Sequence, residues 1–87
     1  MAVKEHSLEM RGMPHIDLEE YFLAIGGKLV GRGIYLGSNW EVELSDEWTC
    51  TLGSLHIPAT QVTFRVEEED WPEIVGAFRF RFLSAGG

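Results

Sequence analysis

The chain has 87 residues, with 7 Lys and Arg against 14 Asp and Glu and a net charge of −7 with the histidines neutral. So short a chain makes one domain, residues 1–87, that buries roughly 60–65% of its unfolded surface, so its core is small. The acidic balance repels phosphate backbones and argues against nucleic acid as a partner, and the lack of any apolar run of about 18 residues argues against a membrane span.

Three Trp, five Phe and two Tyr supply the bulk of the core. The one cysteine, Cys50, has no second thiol to pair with, and no signal-peptide pattern is visible, so a reducing cytoplasm is the simplest compartment. Residues 1–7 are expected to fray and carry no structural weight.

In chain order, residues 8–12 read as a short strand stopped by Pro14. Asp17-Leu18-Glu19-Glu20 has the form of a capping box, and Leu18, Tyr21, Phe22 and Ile25 recur at helical spacing, which predicts a helix over 17–25. Gly26-Gly27 ends it, because glycine reaches the left-handed conformation without a Cβ clash. Residues 28–36 read as one strand in which Gly31 and Gly33 relieve a bend or bulge. After the turn Gly37-Ser38-Asn39 comes the clearest strand, 40–45, with Trp40, Val42 and Leu44 alternating against Glu41, Glu43 and Ser45. Ser45-Asp46-Glu47 is expected to turn the chain back into a strand over 48–52. Gly53-Ser54 suits a two-residue hairpin, and Pro58 confines 55–57 to an edge or an end. Val62, Phe64 and Val66 alternate in the last clear strand, 61–67.

The tail carries two periods. Asp70-Trp71-Pro72-Glu73 repeats the capping box with proline in the first turn, and Trp71, Ile74, Val75, Phe78 and Phe82 fall in a narrow helical arc. Phe78-Arg79-Phe80-Arg81-Phe82 also alternates as a strand does. The helical reading, over 72–84, leaves only Phe80 out of register, and Gly86-Gly87 would be its C-cap.

Strand, helix, several antiparallel strands and a C-terminal helix is an order that resembles the TATA-binding-protein-like, or helix-grip, arrangement, in which a curved sheet wraps a terminal helix. The two acidic capping boxes, the segment Leu52-Gly53-Ser54-Leu55-His56-Ile57-Pro58 and the Arg–Phe run before Gly86-Gly87 carry a closer likeness. With them the chain is similar to the small C-terminal domain of proteins related to the small subunit of molybdopterin synthase. The resemblance spans residues 8–87 as an order of elements. It implies an α+β fold, an antiparallel sheet of four to six strands (β-α-β4-α) with two helices on one face, and a metabolic neighbourhood without a mechanism.

No catalytic, cofactor or metal set emerges. His6, His15 and His56 lack ligand spacing, and Glu67-Glu68-Glu69-Asp70 lacks the alternating oxygens and glycine of a calcium loop, so it reads as a solvated cap at a helix start. Gly31-Arg32-Gly33 runs through a strand, whereas a phosphate loop must lead into a helix. Counting back from Gly53-Ser54, Leu52 faces Leu55, Thr51 faces His56 and Cys50 faces Ile57. Cys50 and His56 then point to opposite faces and make no nucleophile–base pair, and Cys50 is expected to be buried and inert.

Three functional readings remain. The leading one is a non-enzymatic interaction module that binds a protein partner or itself through Arg79, Phe80 and Arg81, since arginine and aromatics are enriched at interfaces. The second is a small apolar pocket between sheet and C-terminal helix, lined by Trp48, Val62, Phe64, Trp71 and Phe78. The third is a sulfur carrier. Such proteins end in Gly-Gly so that a thin tail threads into an adenylating enzyme, and Gly86-Gly87 has that form, although the β-grasp fold of those carriers opens with a hairpin.

Overall fold

The computed structural model describes residues 2–86. Its order is β1 (Val3–Arg11), α1 (His15–Ala24), β2 (Lys28–Gly31), β3 (Ile34–Leu36), β4 (Trp40–Leu44), β5 (Trp48–Leu52), β6 (Leu55–Glu67) and α2 (Trp71–Gly86). The strands form one open antiparallel sheet, β1-β6-β4-β3-β2, with β5 also paired to β6. This is the α+β class expected, with both helices packed on one face of the sheet. That face carries Met10, Tyr35, Val42, Leu44, Val62, Phe64 and Val66, which form a single core with Leu18 and Phe22 of α1 and Phe78 and Phe82 of α2. Phe22 lies 5.7 Å from Phe78, and Phe64 lies 5.3 Å from Phe78, ring centre to ring centre. The aromatics thus fill the space between sheet and helices.

The tail is helix, and its period explains why: Val75, Phe78 and Phe82 are buried, while Arg79, Phe80 and Arg81 are exposed. The Asp70 carbonyl accepts the first helical bond from Ile74 N–H at 3.1 Å. At the other helix, Gly26 has φ +98, its N–H donates to Leu23 O at 3.1 Å, and Gly27 N–H donates to Phe22 O at 2.8 Å. Those two bonds are the reciprocal pair that closes a helix on a left-handed glycine. Gly27 is needed for a second reason, since a Cβ there would stand 2.5 Å from the Trp40 indole.

Besides 55–57 and 61–67 joining through Pro58 into the one strand β6, four expectations change. Helix α1 starts at His15 behind Pro14 with no side-chain cap, so Asp17 sits inside the first turn and Asp17-Leu18-Glu19-Glu20 is not a capping box in use. The cap comes from across the fold: His15 N–H donates to Glu47 Oε1 at 2.8 Å. Residues 28–36 are a hairpin, not one bent strand; Gly33, at φ +70, makes the turn, and its carbonyl accepts from Leu44 N–H at 2.8 Å. β1 begins at Val3 rather than Leu8, because Val3–Arg11 finds a full antiparallel partner in residues 59–67.

The fourth change is the largest. Ser45-Asp46-Glu47 does not turn the chain back. β4 and β5 both run antiparallel to β6 along the same side of it, β4 against residues 62–66 and β5 against residues 55–59. Between the pairs Leu44–Val62 and Trp48–Ala59, three residues of one strand face two of the other, which is a β-bulge. Ser45 holds it: its N–H donates to Gln61 O at 3.0 Å, and its Oγ accepts from Gln61 N–H at 2.9 Å. An extra residue reverses the side-chain alternation. Trp40, Val42 and Leu44 face the helices, whereas Trp48, Cys50 and Leu52 face away from them.

Candidate functional site

The basic–aromatic face of α2 lies where the helical reading put it. Phe80 is 79% exposed, with Arg79 and Arg81 exposed beside it. The Arg81 guanidinium stands 5.1 Å from the centre of the Phe82 ring, close enough for a cation–π contact. It also favours the phenolate of Tyr21 on α1, while burial, the larger effect, pushes the Tyr21 hydroxyl above its ordinary value. α2 therefore offers an apolar side to the core and a cationic side with one large ring to the surroundings of an otherwise acidic chain.

The five pocket residues are not brought together around a space. Val62, Phe64 and Phe78 are fully buried members of the one core, with the Phe64 and Phe78 rings 5.3 Å apart. Trp71 is half-buried, 5.2 Å from Phe64, and stacked on His6 at 3.9 Å with the ring planes 2° apart. Trp48 is 39% exposed on the opposite face of the sheet, because the bulge at 45–47 turned its strand over.

Cys50 and His56 sit in the expected register, Cys50 opposite Ile57 and Thr51 opposite His56, so the two side chains point to opposite faces. Thr51 Oγ1 and His56 Nδ1, both exposed, are 3.4 Å apart on the face opposite Cys50. Cys50, however, is half-exposed rather than buried, for the same reason as Trp48. Among the described residues no three His, Cys, Asp or Glu side chains gather as a metal site would require, and no helix is long and apolar enough to cross a membrane. α2 includes Gly86; Gly87 lies outside the described residues.

Two further clusters were not legible beforehand. On the sheet face away from the helices, Arg65 of β6 bonds Glu41 and Glu43 of β4 at 2.7 Å each and Glu5 of β1 at 3.1 Å. These bonds, led by that to Glu43, hold the guanidinium charged well above its usual range. Charge alternation in each strand was visible, but the register joining three strands at one arginine was not. Tyr35, fully enclosed, donates its hydroxyl to Glu19 Oε1 at 2.9 Å; burial first, and then that bond and the nearby carboxylate charge, push it up to about 12.

No curated protein matches the chain. A family model described as archaeal MoaD-like protein matches residues 6–87, nearly the whole sequence, and agrees with the likeness to proteins related to the small subunit of molybdopterin synthase. The chain is a member of the archaeal MoaD-like protein family.

Proposed function

We propose that the chain is a non-enzymatic protein-interaction module, cytoplasmic, acting beside MoaD-type proteins, and that it meets its partner through the outer face of α2. One observation carries this: Phe80 presents 79% of its surface between two arginines on a helix whose opposite side is locked into the core. An exposed ring with flanking guanidinium groups fits an acidic surface that contains an apolar notch, and aromatic and arginine side chains are the usual anchors of interfaces. Phe80→Ser keeps the helix face toward the core intact. The expected result is an unchanged melting temperature with loss of partner recovery in a pull-down from the source organism; unchanged recovery overturns the reading.

A second reading is favoured by family membership together with Gly86-Gly87: that the chain is itself a sulfur carrier. Its chemistry would need the Gly87 carboxylate to be the natural end of the chain and the last turn of α2 to unwind, so that the tail can enter an adenylating active site. Incubation with a carrier-type adenylating enzyme and ATP, followed by intact mass, would show an adenylate at Gly87. An unmodified mass, with a known carrier modified in parallel, discards it.

A further inference from the structure

The bulge at 45–47 leaves an unusual sheet edge. β5 pairs with β6 on one side and, among the described residues, with no strand on the other. Strand edges are ordinarily protected by charge, proline or irregularity. β1 has such guards in Lys4, Glu5, Glu9 and Arg11, and β2 has Lys28 and a register break between Leu29 and Gly31. β5, Trp48-Thr49-Cys50-Thr51-Leu52, has none, and residues 48–64 contain no Asp, Glu, Lys or Arg in a chain that is otherwise strongly acidic. The apolar row of the β5–β6 ribbon is open, with Trp48 39% and Leu52 48% exposed on β5 and Leu55 63% exposed on β6. A two-stranded ribbon by itself is marginally stable in water, and a third strand is the usual remedy.

The pattern of β5 is its own complement. Antiparallel pairing of two β5 strands about a two-fold axis through Cys50 sets Trp48 opposite Leu52, Thr49 opposite Thr51 and Cys50 opposite Cys50. Large apolar meets large apolar on one face and threonine meets threonine on the other, both favourable cross-strand pairs. A symmetric dimer needs this kind of self-matching surface. Charge points the same way: two copies at −7 repel over most of their surfaces, and this neutral ribbon lets them approach without opposing carboxylates. We infer that β5 is a homodimer interface, in which two copies join edge to edge into one continuous sheet with Cys50 on the two-fold axis.

The inference is independent of the α2 contact and is tested apart from it. Sedimentation equilibrium across roughly 1–500 μM should show twice the monomer mass at the upper end, and Leu52→Lys should weaken the dimer at least tenfold while the melting temperature of the dilute monomer stays unchanged. Opposed antiparallel residues lie about 4.5–5.5 Å apart at Cα, within disulfide reach, so a mild oxidant should join the dimer covalently through Cys50, and Cys50→Ser should abolish that link. A chain that stays monomeric throughout the range overturns the inference. So does a dimer indifferent to Leu52→Lys, or one that Cys50 fails to cross-link. A dimer broken by Phe80→Ser instead would move self-association to α2.

Discussion

β4 and β5 lie end to end along one neighbour, have five residues each and share the same alternation of apolar and polar side chains, yet they meet opposite fates. Trp40, Val42 and Leu44 are buried at 8%, 0% and 5% exposure, while Trp48 and Leu52 stand at 39% and 48%. The difference is one residue. The bulge at 45–47 reverses which side of the sheet the apolar row occupies, and only one side is covered by helices. An alternating strand thus announces that it has an apolar face; whether that face becomes core or surface depends on what the rest of the chain places over it.

That contrast can be broken from either end. The largest loss is expected at the covered half: Phe78→Ala, which removes a fully buried ring touching Phe22 and Phe64, should cost about 3–5 kcal/mol in urea unfolding. Tyr35 should give the next largest effect through pH. Its folded-state hydroxyl is pushed up to about 12 against an ordinary value of 10, so its contribution is whole below pH 10 and disappears between pH 10 and 12. The loss should approach about 3 kcal/mol, read as the difference between wild-type and Tyr35→Phe stability curves across that window.

Gly33→Ala tests the turn that brings β3 to β4. The position has φ +70, and an added Cβ would stand 2.5 Å from the Leu44 carbonyl oxygen, so a loss of about 2–3 kcal/mol is expected in the same unfolding assay. Arg65→Ala leaves Glu5, Glu41 and Glu43 facing one another without their shared cation. A salt-sensitive loss of about 1 kcal/mol is expected, shrinking when the melt is repeated in 1 M salt. At the uncovered half, Leu55→Ser should change the stability of dilute monomer by no more than about 0.5 kcal/mol. A loss matching that of Phe78→Ala would mean that the β5–β6 ribbon is covered after all, and the contrast between the two halves would fail.

Local chemistry was legible wherever a residue acts through its own neighbours. Gly26 closing α1, Gly53 at φ +62 turning β5 into β6, and the pairing of Cys50 with Ile57 are set by backbone freedom and by counting from a turn. The helical face of α2, with Val75, Phe78 and Phe82 inward and Phe80 outward, follows from 3.6-residue spacing outweighing a five-residue alternation. The α2 surface was therefore readable as a place, and the five-residue pocket was not, because its members were chosen for being apolar and alternate, and Trp48 sits beyond the bulge.

The amino-acid order by itself determined the class of fold, the two helices, the Gly26-Gly27 and Gly53-Ser54 turns and the family, because spacing, glycine and proline act within a few residues of themselves. Only the tertiary structure decided that Ser45-Asp46-Glu47 bulges instead of turning, that His15 is capped by Glu47 from across the molecule, and that Arg65 gathers three carboxylates from two strands. Each of these depends on which distant backbone lies alongside. A stretch of three polar residues is compatible with either a turn or a bulge until Gln61 is there to bond with Ser45.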